Sequence, residues 1–462
     1  MKTFAINSFG CKVNQYESQQ IREFLENFGL HKVEPSEKPD LVVINSCCVT
    51  HTASAKSRQC IRKIRKHSPD SVIVVSGCLP TVQIGELRIT AEDVHLIRNR
   101  SDLAHTLSCI INDNAATLSS QRTQSCPDTI IKPNNSYKIK YKNKLNNDLN
   151  LPPLTSFDGQ TRAFLKIQDG CDGYCSYCIV PNTRPFVRSK SANVVIKEAQ
   201  ALVESGHREI VLTGIFLGAY GRQSVRRKSW PNRENKNLAD LLDKIAKIPN
   251  LERIRLSSLE PADLTPRLLD VFCNRHNIMP HLHLSLQSGS DKILRKMCRQ
   301  YRVDEFREKV NLAKSRLDRP AITTDIIVGF PGETDTDFEQ TVNMAKTIGF
   351  AKMHVFSFSP RKGTAAAYMQ DTIDSKIVKE RSQILRKLNI KLGLKYRRQF
   401  LGETAEVLIE NDNGQISGRS ERYFTVYLNK IDEKQKRNSI VEVKLIENGE
   451  HAMVGAIIPH KI

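Results

Sequence analysis

No run of roughly eighteen uninterrupted apolar residues occurs anywhere in the sequence, which argues against a transmembrane helix. The opening MKTFAINSFGCKVNQ has one lysine and then no long apolar stretch, so no signal peptide is expected and the chain reads as cytoplasmic. Acidic residues are also in short supply: 50 Asp and Glu stand against 70 Lys and Arg, for a net charge of +20 and a pI near 9.4. That imbalance favours a polyanionic partner such as nucleic acid over a merely basic surface. Cysteine, by contrast, is plentiful, with 12 in the chain. In a reducing compartment, clustered cysteines point to metal ligation or catalysis rather than to a disulfide framework.

The 462 residues suggest about three domains. Residues 1–111 alternate strand and helix signals. KTFAINS, DLVVINS and SVIVVSG read as strands, and Ile21, Phe24, Leu25 and Phe28 recur at helical spacing before Gly29. This predicts an α/β domain with a flavodoxin-like parallel sheet. Residues 112–157, including the Asn- and Lys-rich NNSYKIKYKNKLNNDLNLPP, read as a linker. Between 158 and 390 six strand candidates, RAFLKIQ, EIVLTGI, RIRLSSL, HLHLSLQ, TTDIIVGF and KMHVFSFS, alternate with helical segments. They predict a partial (β/α)6 barrel with its functional groups on the loops after the strands. Residues 397–462 carry short alternating runs that suggest a small β-barrel of a kind that often binds RNA. There Tyr423, Phe424 and Tyr427 are candidates for base stacking or for core. Arg419, Arg422 and the Lys434–Arg437 cluster are candidates for phosphate contact or for solvated loop charge.

The chemistry concentrates in DGCDGYCSYCIVPNTRP, where Cys171, Cys175 and Cys178 stand at a C-x3-C-x2-C spacing. Cysteine-only sites select zinc or iron–sulfur clusters. Three thiolates on a four-iron cubane leave one iron open to bind something else. Gly170 and Gly173 suit a tight loop around such a cluster. The spacing, directly after the first barrel strand, resembles the signature of radical S-adenosylmethionine (SAM) enzymes, in which the fourth iron binds SAM and one electron cleaves it to a 5′-deoxyadenosyl radical. The resemblance extends to LTGIFLG, LSSLEP, SLQSGS and IIVGFPGE, in the family's order. It implies SAM contacts at Gly214, Ser257, Glu260, Gln287, Ser288 and Gly329.

A second set lies in FGCKVNQYES, VVINSCCVT and VVSGCLP. Cys11, Cys47, Cys48 and Cys78 each follow a predicted strand, and parallel strand ends converge on one edge. The competing reading is that small apolar cysteines pack well in α/β cores. Taken together, the chain resembles the methylthiotransferases, which combine this N-terminal domain, a radical SAM domain and a C-terminal TRAM domain. The resemblance implies a second 4Fe–4S cluster on Cys11, Cys47 and Cys78, with Cys48 an extra. Cys60, Cys109, Cys126, Cys273 and Cys298 match no motif.

GCKVNQYES, LTGIFLGAYG and RIRLSSLEP look most like the branch that modifies threonylcarbamoyladenosine 37 of tRNA, departing from it at Phe216 and Ser285. The implied partners are the tRNA anticodon loop, a reduced flavodoxin- or ferredoxin-type electron donor, and a sulfur donor, with no membrane. The alternatives are the isopentenyladenosine branch and, from another class, a non-catalytic iron–sulfur RNA-binding regulator.

Overall fold

A computed structural model of the chain describes residues 1–82, 87, 94–116, 151–229, 234–429 and 436–458. Most of the expected linker, Cys126, Lys434 and Gln435 lie outside the described residues. The chain divides into two compact units, residues 1–48 with 52–153, and residues 49–51 with 154–462.

In the first unit, β1 (Thr3–Ser8), β2 (His31–Lys32), β3 (Leu41–Ser46), β4 (Val72–Gly77) and β5 (Val94–Leu96) form a parallel sheet in the order β2-β1-β3-β4-β5. The runs LVVINS and VIVVSG are apolar without alternation because β3 and β4 are central strands covered on both faces. Helix Lys12–Asn27 buries Ile21 and Leu25 in a core with Phe4, Leu41 and Val43. Gly29, with φ of +82°, turns the chain out of it. Because the sheet is parallel, β1, β3 and β4 are neighbours that all end on the same edge.

In the second unit, β6 (Arg162–Asp169), β7 (Arg188–Ser189), β8 (Glu209–Gly214) and β9 (Arg253–Leu256) form one sheet, and β10 (Ser258–Leu259), β11 (His281–Leu284), β12 (Ala321–Val328) and β13 (Lys352–Ser357) form another. RIRLSSL is therefore one strand in sequence and two in space. Its first half pairs with β8 and its second half with β11, the break falling at Ser257. The six predicted strands curve through both sheets as a partial barrel. Helices between successive parallel strands, such as Ala192–Glu204, Pro266–Asn274 and Asp335–Ile348, supply the crossovers.

The barrel interior is polar at its base. Arg255 donates to Glu209 at 2.8 Å, and Arg162 Nε lies 2.7 Å from Glu410. The floor is closed by a turn of the C-terminal barrel. That barrel comprises β14 (Thr404–Asn411), β15 (Ser417–Ser420), β16 (Thr425–Leu428), β17 (Ile440–Asn448) and β18 (Met453–Ile457), closed in the order β14-β15-β16-β18-β17. Arg253 donates to the carbonyl of Arg419 at 3.0 Å, and Arg255 to those of Ser420 and Glu421 at 2.8 and 3.0 Å. Tyr423 stacks on His281 with ring centroids 3.8 Å apart.

This docking gives an engagement within the protein to several residues that the sequence left open between RNA contact and core or loop charge. Tyr423 is spent on His281, and Phe424 is buried in the small barrel's core. Arg419 bonds Glu410, Arg422 bonds Asp318, and Arg437 donates to the carbonyl of Gly159. Tandem alternation separates inward from outward residues of a strand. It does not tell a nucleic-acid face from a face that packs on another part of the same chain.

Candidate cofactor site

Cys171, Cys175 and Cys178 occupy the loop that follows β6. Gly170, at φ of +78°, is required there. A Cβ would lie 1.8 Å from the carbonyl oxygen of Phe186. Cys171 donates its N–H to Arg184 O at 2.8 Å, and Gly173 donates to the Cys171 sulfur at 3.3 Å. Two further anchors hold the loop. Gln168 donates to Gly170 O at 2.9 Å while accepting from the N–H of Phe216 at 2.7 Å. Asp172 accepts from Ser224 Oγ and Val225 N–H at 2.7 and 2.8 Å, tying the loop to the segment after β8.

Beneath the thiols lies a buried arginine that the sequence reading did not single out. Arg299 donates to the Cys175 sulfur at 3.1 Å and to Tyr301 Oη at 3.2 Å, and its other arm pairs with Glu260 at 2.7 Å. Glu260 and Asp263 are in turn bridged by Arg227, at 3.5 and 2.6 Å. The only signal in the sequence was the density of charge in RKMCRQYR, which is indistinguishable from a solvated loop.

The residues that the resemblance assigns to SAM fall at the strand ends but in different surroundings. Gly214 ends β8 against the Gln168 side chain. Ser257, at the β9–β10 break, is buried, and its hydroxyl has no hydrogen-bond partner among the described residues. Glu260 joins the arginine pair just described. Gln287, at φ of +64°, bridges to β12 by its backbone, donating to Asp325 O at 2.9 Å. Ser288 is fully buried, and its hydroxyl lies 3.4 Å from that of Thr341 and accepts from Ser290 N–H. Gly329 donates its N–H to Glu333 at 2.8 Å. The two departures from the family pattern also have structural settings. Phe216 packs against Ala219 and Val225, the same small cluster that Cys171 packs against. Ser285 donates its N–H to Leu259 O at 3.1 Å, a bond that proline could not make.

In the first unit, Cys11 caps helix Lys12–Asn27 just past β1, Cys47 follows β3, and Cys78 follows β4. Gly10 is again conformationally required, at φ of +98°. A Cβ there would sit 2.7 Å from the Cys47 sulfur, so that sulfur lies against the Cys11 loop. Asn14 ties the two loops by donating to Phe9 O and Ser46 O at 2.8 and 2.9 Å. Cys78 donates its N–H to Ser46 O at 3.0 Å, and its sulfur accepts from Arg100 at 3.3 Å. Cys48 is wholly buried, whereas Cys11 is exposed. Cys60, Cys109, Cys273 and Cys298 are free thiols in no disulfide.

Both sets suit a cluster better than a single ion. Sulfurs on one tetrahedral zinc stand about 3.8 Å apart, given bonds of about 2.3 Å. Neither set of three is gathered within 4.8 Å. Burial pushes the Cys171 and Cys178 thiols up to about 12, an ionisation cost that a polycationic cluster offsets. The unpartnered Ser257 hydroxyl is the kind of buried polar atom that a polar cofactor would satisfy.

Residues 165–345 match the Radical SAM superfamily, and residues 3–99 match the Uncharacterized protein family UPF0004. The threonylcarbamoyladenosine tRNA methylthiotransferase MtaB of Bacillus subtilis (strain 168) is 34% identical, covering 97% of this chain and 95% of its own length. The tRNA-2-methylthio-N(6)-dimethylallyladenosine synthase of Ehrlichia canis (strain Jake) is 31% identical over 99% of this chain and 100% of its own. Among solved structures, the radical S-adenosylmethionine methyltransferase TsrM from Kitasatospora setae, with cobalamin and a 4Fe–4S cluster bound, superposes with a TM-score of 0.56. It is 14% identical, covering 79% of this chain and 74% of that one, a likeness of fold alone. Carried end to end by these relatives and by its two cysteine sets, the chain belongs to the radical SAM methylthiotransferase family, enzymes whose cofactors are SAM and 4Fe–4S clusters.

Proposed function

We propose that this enzyme places a methylthio group on carbon 2 of N6-threonylcarbamoyladenosine at position 37 of tRNA. The observation that carries the reaction class is the pair of three-cysteine sets, each at strand ends and each one ligand short of closing a cubane. The branch motifs GCKVNQYES, LTGIFLGAYG and RIRLSSLEP, with the 34% identical relative of that name, support the base. Carbon 2 of adenine has no acidic proton and no leaving group. The cofactors supply the radical chemistry that such a carbon needs.

The chain's own residues bind and orient. Cys171, Cys175 and Cys178 would hold one cluster and Cys11, Cys47 and Cys78 the other. Gly214, Ser257, Glu260, Gln287, Ser288 and Gly329 are the candidate SAM contacts, with Ser257 offering an unspent hydroxyl. We assign residues 1–111 to the auxiliary-cluster domain, 158–390 to the radical SAM domain and 397–462 to the TRAM domain, with 112–157 as linker. The reading also calls for a cytoplasmic setting, a flavodoxin- or ferredoxin-type reductant and a sulfur donor.

RNA contact is better sought near the Cys171 loop than on the small barrel. Tyr174 is 60% exposed with the Arg226 guanidinium 4.0 Å from its ring centre, and Phe186 is 68% exposed with Arg188 at 5.3 Å. Exposed rings backed by arginine are what unstacked anticodon-loop bases stack on. Replacing Phe186 with alanine should weaken binding of an anticodon stem-loop by about 1–3 kcal/mol. Fluorescence anisotropy with iron content as the folding control checks this, and unchanged affinity would remove Phe186 from the interface.

The function itself is tested by mass analysis of tRNA nucleosides from a deletion strain. Methylthio-threonylcarbamoyladenosine should vanish while its unthiolated parent accumulates. Loss of methylthio-isopentenyladenosine alone would refute the assignment.

A further inference from the structure

Neighbouring strands β11, β12 and β13 each contribute one metal-ligating side chain to a cluster that includes no cysteine. The ligand atoms of His283, Asp325 and His354 all lie within 4.8 Å of one another, and all three side chains are half-buried. The register explains their meeting. Asp325 pairs with His354 across β12 and β13, and His283 pairs with Thr323, two residues before Asp325 on the same face of β12. Two imidazoles and one carboxylate on adjacent strands form a three-ligand set that leaves further coordination positions open.

Two details point to a cation rather than to a chance ion pair. His283 Nε2 lies 3.3 Å from Asp325 Oδ2, the separation of two ligands on one ion with bonds of about 2.0–2.2 Å. The other nitrogen of the same ring, Nδ1, is held by Thr323 Oγ1 at 2.9 Å, as the remaining nitrogen of a ligating histidine is held by its outer neighbours. The third ligating group within reach, His354, is what a simple His–Asp pair would not need.

We propose that His283, Asp325 and His354 form a mononuclear site for a divalent transition metal of the zinc, iron or cobalt class. Hard cations such as Mg²⁺ and Ca²⁺ are disfavoured, because two of the three ligands are imidazole nitrogens. Thr323 is the positioning residue, fixing the His283 ring so that Nε2 faces the ion.

Cobalt(II) is the probe, added anaerobically to full-length protein whose iron–sulfur clusters have been reconstituted so that the cysteines are occupied. One Co²⁺ per chain is expected, with visible d–d bands and no thiolate charge-transfer absorption in the near ultraviolet. His354→Gln and Asp325→Asn should each abolish stoichiometric binding while iron and sulfide content stay at the wild-type level. Thr323→Val should weaken Co²⁺ affinity by about 10–100-fold. Failure to bind Co²⁺ stoichiometrically, binding that survives both ligand substitutions, or a spectrum dominated by thiolate ligation would each overturn the proposal. In that case His283 and Asp325 form a hydrogen-bonded pair only. None of these readouts depends on the tRNA substrate.

Discussion

Replacing Cys47 with alanine is expected to remove about half of the iron from the reconstituted enzyme and to abolish methylthio product, while SAM cleavage persists. Two cubanes bring about eight irons per chain. Cys47 belongs to the set on the β1–β3–β4 edge, and Cys171, Cys175 and Cys178 belong to the other compact unit. Loss of one set should therefore leave the other standing. Cys171→Ala gives the mirror result, with about half the iron lost and SAM cleavage gone. Cys48→Ala is the discriminating control. Cys47, not Cys48, is the cysteine whose sulfur lies against Gly10, so Cys48→Ala should keep its iron. If Cys48→Ala lost the iron and Cys47→Ala kept it, the ligand assignment would be wrong. If neither substitution changed the iron content, there would be no auxiliary cluster on this sheet.

The second large effect is expected at Arg299. Arg299→Leu should destabilise the protein by about 3–5 kcal/mol, because it leaves the Glu260 carboxylate without its 2.7 Å partner in a buried setting. The same change removes the donor to the Cys175 sulfur, so iron should be retained less well than in the wild type. Arg299→Lys should rescue little. A single ammonium cannot reach Glu260, Tyr301 and the sulfur at once as the planar guanidinium does. Denaturant unfolding and iron retention after gel filtration measure both effects. A loss under about 1 kcal/mol, the range of an exposed pair, would show that Glu260 is solvated rather than dependent on Arg299.

Arg299 also marks where sequence reasoning stops. The grouping of Cys171, Cys175 and Cys178 on one loop was legible because their spacing is local: eight residues of chain hold all three, whatever the rest does. The placement of Cys11, Cys47 and Cys78 on one sheet edge was legible because each directly follows a strand, and parallel topology makes strand ends neighbours. Arg299 reaches Cys175 from 124 residues away, and no spacing rule predicts such a contact. The small barrel teaches the same lesson in reverse. Its alternating strands were readable, but whether Tyr423, Arg419 and Arg422 serve RNA or the fold was left open, and the structure engages them within the protein.

The sequence by itself determined the elements with short-range causes: the unbroken apolar strands, the helices between them, the glycines that let two loops turn, and the two sets of thiols. Only the tertiary structure decided which charges are buried against which. It split RIRLSSL between two sheets, drove Arg253 and Arg255 into the turn of another barrel, and gathered His283, Asp325 and His354 on one face. The physical reason is that hydrophobic periodicity records whether a side chain meets water or protein. The partner of a buried polar group depends on strand register and on contacts between segments far apart in the chain.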